Sequence, residues 1–286
     1  MNLRFASRTI RRWLVGLALM GVPSLAGCTL FHYSIAPNDR DTAVATSSPQ
    51  LPVKHNQRAS QFIFVSDFEL KPDQPLFREL ADMREQIIKD LRLPTPNSLI
   101  TVYLFEDRER YESFMRYRYP DLPRRRAFFV AQPRGMNGGD DLLVYTFWGD
   151  HIRQDLRHEL THAVLHSVLK DVPLWLDEGL AEYYELPPDV QGVNRQHLTF
   201  LKNEAFHPDL NRLEQLSQVQ QMNPAEYREA WAWVHLMLRS KPDAKQVLLA
   251  YVKQLRSTAN PGPLQPHLKQ CFVDLNDALL AHLASM

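Results

Sequence analysis

The sequence lacks three features that often decide how a protein works. Its 286 residues include only two cysteines, Cys28 and Cys271, which excludes a framework of several disulfides. The 33 basic and 33 acidic residues balance to a formal net charge of zero, so nothing electrostatic points to nucleic acid as a partner. There is no internal repeat, which excludes a solenoid. What remains is a globular composition, 44% hydrophobic and 23% charged.

The N-terminus has the pattern of an export signal. A basic start precedes an apolar run from Trp13 to Val22, which is shorter than the about 20 residues that a spanning helix needs. The segment Leu25-Ala26-Gly27-Cys28 resembles a bacterial lipobox. That resemblance implies that the signal peptide 1–27 is removed and that Cys28 carries a lipid anchor. It places the protein in the cell envelope, and Thr29 favours the outer membrane, facing the periplasm. A plain secretory signal with a chance cysteine is the alternative.

The rest of the chain divides into a flexible tether and one domain. Residues 28–60 are polar and lack periodic apolar positions, which is typical of a tether. Residues 61–286 form the predicted domain, sheet-rich over 61–150 and helical over 151–286. Strands are predicted at 61–70, 98–105, 126–132 and 142–148. Helices are predicted at 74–91, 108–118, 151–169, 174–185, 195–206, 225–239, 243–255 and 274–285. Strands first and helices later indicate an α+β domain.

The segment 158–162 reads HELTH and lies on a predicted amphipathic helix. His158 and His162 are four residues apart and therefore share one helix face. Two imidazoles at that spacing can bind one zinc ion. Glu159 lies about 100° around the helix, where it suits a general base that takes a proton from water. A solvated histidine–glutamate face is the alternative interpretation, and His166, one turn further, is interpreted as a packing or surface histidine.

A second predicted helix, 174–185, supplies carboxylates. Glu178, Glu182 and Glu185 share one face, and a short connector should bring that face back towards the histidines. The rise of about 1.5 Å per residue along two antiparallel axes places Glu182 more level with His162 than Glu178. The spacing alone therefore leaves open which of the two is the third ligand. Glu185 is interpreted as solvated.

The two motifs together resemble the gluzincin metallopeptidases. The segment 175–181, WLDEGLA, is similar to the block that supplies the third zinc ligand in the aminopeptidase N family, and this resemblance favours Glu178. It implies a zincin-like fold and a Zn²⁺ cofactor. Glu182 is then expected to accept a hydrogen bond from a ligand histidine. The aminopeptidase signature is absent, because Gly135-Met136-Asn137 lacks the glutamate that would hold a substrate amine. The chain also resembles the bacterial peptidase MA-like proteins, through Tyr227, Trp231 and His235.

The resemblance implies a membrane-anchored zinc peptidase acting on peptide or protein substrates. Tyr227 is the expected oxyanion stabiliser, with Tyr183 and Tyr184 as weaker candidates and simple packing as the alternative. By analogy with zincins, the strand 142–148 is expected to be an edge strand on which an extended peptide lies. The alternatives are a zincin-fold lipoprotein that serves as a binding or assembly module, and a hydrolase of non-peptide amides. The sequence indicates no oligomeric state.

Overall fold

The computed structural model describes residues 48–134, 139–169, 171–202 and 206–286, together with the backbone of Phe31–His32. The predicted signal peptide 1–27, the lipidation residue Cys28 and the segment Gly135-Met136-Asn137 lie outside the described residues. Within the described residues, none of the helices combines the length and apolar character needed to cross a membrane.

Six strands form one mixed sheet. They are β1 (Phe31–His32), β2 (His55–Ala59), β3 (Phe62–Ser66), β4 (Ile100–Phe105), β5 (Ala127–Pro133) and β6 (Asp140–Phe147). Their spatial order is β1-β5-β6-β4-β3-β2. Strands β3, β4 and β6 run parallel to one another, whereas β2 is antiparallel to β3 and β5 is antiparallel to β6. The two-residue β1 pairs in parallel with β5.

Two predictions about the sheet are wrong. The strand predicted at 142–148 is not an edge, because β6 pairs with β4 on one side and with β5 on the other. Its residues contribute to the cores on both sides of the sheet, as an interior strand requires. The predicted tether 28–60 is too long at its C-terminal end, because His55–Ala59 forms β2. This edge strand is largely exposed, so it lacks the apolar alternation by which a strand is recognised.

All eight predicted helices are present, and the structure adds two short ones that were not predicted, at Leu210–Glu214 and Gln265–Lys269. α1 (Pro75–Leu91) and α2 (Arg108–Arg118) lie between strands in the sequence. After β6 the described residues contain helices and no strand. These are α3 (Ile152–His166), α4 (Leu174–Tyr184), α5 (Arg195–Leu201), α6 (Leu210–Glu214), α7 (Pro224–Arg239), α8 (Pro242–Leu255), α9 (Gln265–Lys269) and α10 (Leu275–Ser285), with 3₁₀ turns at Pro188–Val190 and Val219–Gln221. The α+β class is confirmed.

The two faces of the sheet carry different cores. Phe128 and Tyr145 belong to an aromatic cluster with α2, whereas their chain neighbours Phe129 and Val144 belong to the main core with α1, α3, α4 and α7. Successive residues of a strand point to opposite faces, so α3 packs on the face opposite α2. The main core therefore places helix α3 between the sheet and α4.

Helix α4 lies between α3 and α7, and one glycine permits this arrangement. A Cβ atom at Gly179 would lie 2.6 Å from the backbone oxygen of Ala230 and 2.8 Å from Val234 Cγ2. Those distances are shorter than any van der Waals contact, so the close approach of α7 requires glycine at this position. The close packing of α7 on the opposite side of α4 therefore helps to fix the position of α4 against α3.

Candidate metal centre

The predicted histidines and glutamate come together on a fully buried part of α3. His158, Glu159 and His162 are each at most 3% exposed. Helix α3 contacts α1, α4, β5 and β6, which surrounds it on several sides. The rings of His158 and His162 lie 5.1 Å apart between centroids, as expected for neighbours one turn apart on the same face.

Glu178 of α4 lies opposite these two histidines. Its Oε2 is 3.5 Å from His158 Nε2 and 3.6 Å from His162 Nε2. One ligand atom from each of the three residues lies within 4.8 Å of the other two, so this group could hold a metal ion. The arithmetic that placed Glu182 level with His162 is wrong, since two strictly antiparallel axes do not describe this hairpin.

The geometry of the three residues fits a tetrahedral metal ion. Two ligands at about 2.0–2.1 Å from such an ion are about 3.3–3.4 Å apart, close to the distances observed from Glu178. Both carboxylate oxygens of Glu178 are buried and make no hydrogen bond within the described part of the chain. Burial alone would raise the pKa of Glu178, but His158 and His162 outweigh it and hold this pKa below its usual value. The ligand carboxylate is therefore ionised.

Carboxylates also hold the other ring nitrogen of each histidine. His158 Nδ1 lies 2.9 Å from Glu185 Oε2, and His162 Nδ1 lies 2.8 Å from Asp177 Oδ2. A carboxylate accepts, so Nδ1–H donates in each pair, and Nε2 is the ring atom that faces Glu178. Such a carboxylate fixes the tautomer and orientation that a metal ligand needs.

Two predictions about the carboxylates are wrong. Glu182 was expected to accept from a ligand histidine, but its Oε2 bonds His197 Nε2 of α5 at 2.8 Å. Glu185 was expected to be solvated, but it is buried and orients His158. The face that the three glutamates share was predicted correctly. The crossing angle of α4 and α3 decides which glutamate reaches each histidine. That angle cannot be read from the spacing of the residues.

Further contacts hold Glu185 in place. Gln154 Nε2 donates to its Oε1 at 2.9 Å, and the buried Arg157 donates from Nε to its backbone oxygen at 3.0 Å. Both donors belong to α3, so α3 binds the C-terminal end of α4 and the carboxylate that orients its own His158.

Asp177 serves two histidines. The Asp177 Oδ2 atom that contacts His162 also lies 3.4 Å from His166 Nε2. The Phe129 ring packs against the His166 ring, with 5.7 Å between the two centroids. Burial would raise the pKa of Asp177, but the two histidines hold it well below the usual value. His166 is a packing residue beside the centre, in agreement with its predicted role.

A cavity of about 360 Å³ lies beside the centre. Tyr227 lines it, together with Glu182, Glu185 and His197. Glu159 lines a smaller adjoining space with His158 and Arg125, and Arg125 also lines the larger cavity.

The other two residues of the Tyr227 segment pack elsewhere. Trp231 Nε1 donates to the Gly192 backbone oxygen at 2.8 Å, and His235 Nδ1 lies 2.8 Å from His282 Nε2. Of the three, Tyr227 alone lines the cavity.

Sequence reasoning missed Asp177, His197 and the arginines of the cavity wall. Asp177 directly precedes Glu178, and this adjacency was the available signal. His197 and Arg125 belong to no motif and reach the site only through the fold.

The chain matches no known protein-family profile and no curated protein. The resemblance to gluzincins therefore depends on the motif residues alone.

Proposed function

We propose that this protein is a zinc-dependent peptidase with a zincin-like fold. The observation that supports this most is the convergence of His158, His162 and Glu178, with each histidine oriented by a buried carboxylate. Two nitrogen ligands and one oxygen ligand form the donor set of many catalytic zinc sites, which leave a fourth position for water or substrate.

Bound zinc would supply Lewis-acid chemistry, polarising a carbonyl and lowering the pKa of water. Glu159 is buried beside His158 and is not one of the three convergent ligands, so it is the candidate general base. Tyr227, on the wall of the adjoining cavity, is the candidate donor to the oxyanion that forms when a peptide bond is attacked.

The location of the protein is part of the proposal. Lipidation at Cys28 would anchor the domain to a membrane of the cell envelope, with peptides or proteins of that compartment as substrates. Radiolabelled palmitate incorporation that is lost in Cys28→Ser tests this step.

One observation favours a second function. The ligands and their orienting carboxylates are almost fully buried, and a closed site is typical of a structural metal. In that case the domain would be a binding or assembly module with a metal that only stabilises it.

Metal analysis and hydrolysis together distinguish the two functions. Glu159→Gln should retain one zinc per chain, because it removes no ligand. Its cleavage of a denatured-protein peptide library should fall by about 10²–10⁴-fold, the usual contribution of a general base. The exposed Glu109→Gln is the matched control and should retain activity.

The peptidase and the structural-metal module predict different results in these two measurements. Full activity of Glu159→Gln, or purified wild-type protein that binds no zinc, would disprove the peptidase. One zinc per chain without cleavage of any peptide would favour the structural metal.

A further inference from the structure

The cavity beside the metal centre carries cationic side chains for which the proposed reaction gives no use. Three arginines line it: Arg125 and Arg126 from the segment before β5, and Arg228 from α7. We infer that this cavity binds a carboxylate of the substrate, so that the enzyme acts on peptides with an acidic group near the scissile bond. The inference depends on the proposed function, because it names the substrate class of the same site.

Arg228 is the most informative of the three. It makes no ion pair within the described residues, although it lines the cavity. Its guanidinium carbon lies 3.9 Å from the centroid of the Phe200 ring. A guanidinium against a ring face keeps the N–H donors of its edge available, and that edge matches the two oxygens of a carboxylate.

Phe200 supports this interpretation. It is 58% exposed and belongs to neither hydrophobic core. Its ring covers one face of the Arg228 guanidinium and so restricts the positions that this group can take.

The other two arginines have different roles. Arg126 binds Asp155 through both oxygens, with nitrogen–oxygen distances of 2.7 to 3.1 Å, so its charge is already balanced. Arg125 lines both the large cavity and the small space beside Glu159. The two spaces also share Arg126, Gln154 and Glu185, so the cavity that Arg228 lines lies next to the candidate general base.

Neither acidic residue of the cavity wall forms an ion pair with Arg228 within the described residues. Glu182 is bonded to His197, and Glu185 is bonded to His158 and Gln154. Both carboxylates are occupied by donors of the wall itself. Arg228 is therefore available to pair with an anion that comes from outside the wall.

The carboxylate has two possible sources, the C-terminus of a peptide or an aspartate or glutamate side chain. Four synthetic peptides that share one apolar sequence separate them. They carry either Glu or Gln at one inner position, and either a free or an amidated C-terminus. Binding is measured by calorimetry to the zinc-loaded full chain with Glu159→Gln, which prevents cleavage.

The peptides with the preferred carboxylate should bind about tenfold more tightly than the fully neutral peptide, as charge-assisted pairing to arginine allows. The Gln peptide with a free C-terminus identifies the C-terminal carboxylate, and the amidated Glu peptide identifies the side chain. Adding Arg228→Gln should reduce the ratio to about one, and Phe200→Leu should reduce it in part. Arg256→Gln, an exposed arginine of another surface, should leave it unchanged.

Equal binding of all four peptides, or no binding, would overturn the inference, as would a tenfold ratio that survives Arg228→Gln. Circular-dichroism melting of each variant shows whether it is folded. Cleavage by wild-type protein without acid preference would leave the peptidase standing and remove the carboxylate site. Acid-selective binding without any cleavage would support the carboxylate site and contradict the peptidase.

Discussion

Two groups of histidines in the described part of the chain differ in the charges around them. One is the buried pair His158 and His162, and the other is the buried His235 with the half-buried His282. His158 and His162 lie among the carboxylates of Asp177, Glu178 and Glu185. His235 and His282 lie against each other at the α7–α10 contact. The groups that face His235 are His282, Trp231, Tyr183, Arg239 and the Gln191 backbone, and no carboxylate is among them in the described part of the chain.

The comparison indicates that the charged groups around a buried histidine, more than its burial, determine whether it can serve as a metal ligand or only as a packing residue. Without a carboxylate, burial and neighbouring cations keep the imidazole neutral, and it serves as a packing residue. The first group has three carboxylates for two histidines, an arrangement that is costly to bury unless a cation balances it. A divalent metal would supply that balance. Helix α4 contributes to both groups, through Glu178 in one and Tyr183 in the other.

The largest expected effect is loss of metal binding at Glu178. Glu178→Gln keeps the shape and removes the charged ligand, so zinc affinity should fall by at least about 10³-fold. His235→Gln, the matched change in the other group, should leave it unchanged. Zinc titration against a competing chelator measures both. An unchanged affinity in Glu178→Gln would show that the metal binds elsewhere.

The contact between α4 and α7 joins the two groups, and Gly179→Ala should disturb both. The added Cβ meets the Ala230 backbone, which cannot move alone, so the cost should be about 1–3 kcal/mol of unfolding free energy. Gly149→Ala is the control, because its nearest neighbour is a side-chain atom of Phe147 at 3.4 Å. Urea denaturation measures both, and equal stability of the two variants would contradict the close approach.

The carboxylates that orient the histidines should have smaller effects than the ligand itself. Glu185→Gln and Asp177→Asn should each weaken zinc binding about 10- to 100-fold, because the ligand rings lose the groups that orient them. Glu182→Gln should change the affinity little, since Glu182 bonds His197. The same chelator titration compares the three variants. A larger loss in Glu182→Gln than in Glu185→Gln would contradict the assignment made from the hydrogen bonds.

Much of the fold was predictable because its signals are local. The spacing of apolar residues predicts α1 and α7 to within two residues at each end. The five letters at 158–162 predict the two histidines that converge with Glu178, whereas the role of Glu159 stays a prediction. The motif around Glu178 predicted the carboxylate that converges with the two histidines, whereas the rise along ideal axes favoured Glu182. The motif occurs in proteins whose two helices cross at a particular angle, and an ideal antiparallel hairpin does not include that angle.

What could not be predicted depends on distant parts of the chain. The partner of each Nδ1 atom is set by the rotation of α4 against α3, and Gly179 fixes that rotation through α7, about 50 positions later. The strand β2 was missed because an exposed edge strand needs few apolar residues. Arg228 and Phe200 meet only after α5 packs on α7.

The smallest expected effect concerns the second group of histidines and the pH dependence of stability. Burial first, and then His282 and Arg239, lower the pKa of His235 to about 3. In the unfolded chain this pKa is about 6.5, so between these two values the unfolded state binds the extra proton. Stability should therefore fall as the pH drops from about 6.5 towards 3.

His235→Gln removes this proton linkage. The loss of unfolding free energy between pH 6.5 and 4.5 should be smaller in the variant by about 1–2 kcal/mol, although its stability at neutral pH is lower. Thermal and urea unfolding across that range measure the slope, with the exposed His207→Gln as control. If His235→Gln kept the wild-type dependence of unfolding free energy on pH, His235 would accept a proton in the folded state. The contrast between the two histidine groups would then not depend on their carboxylates.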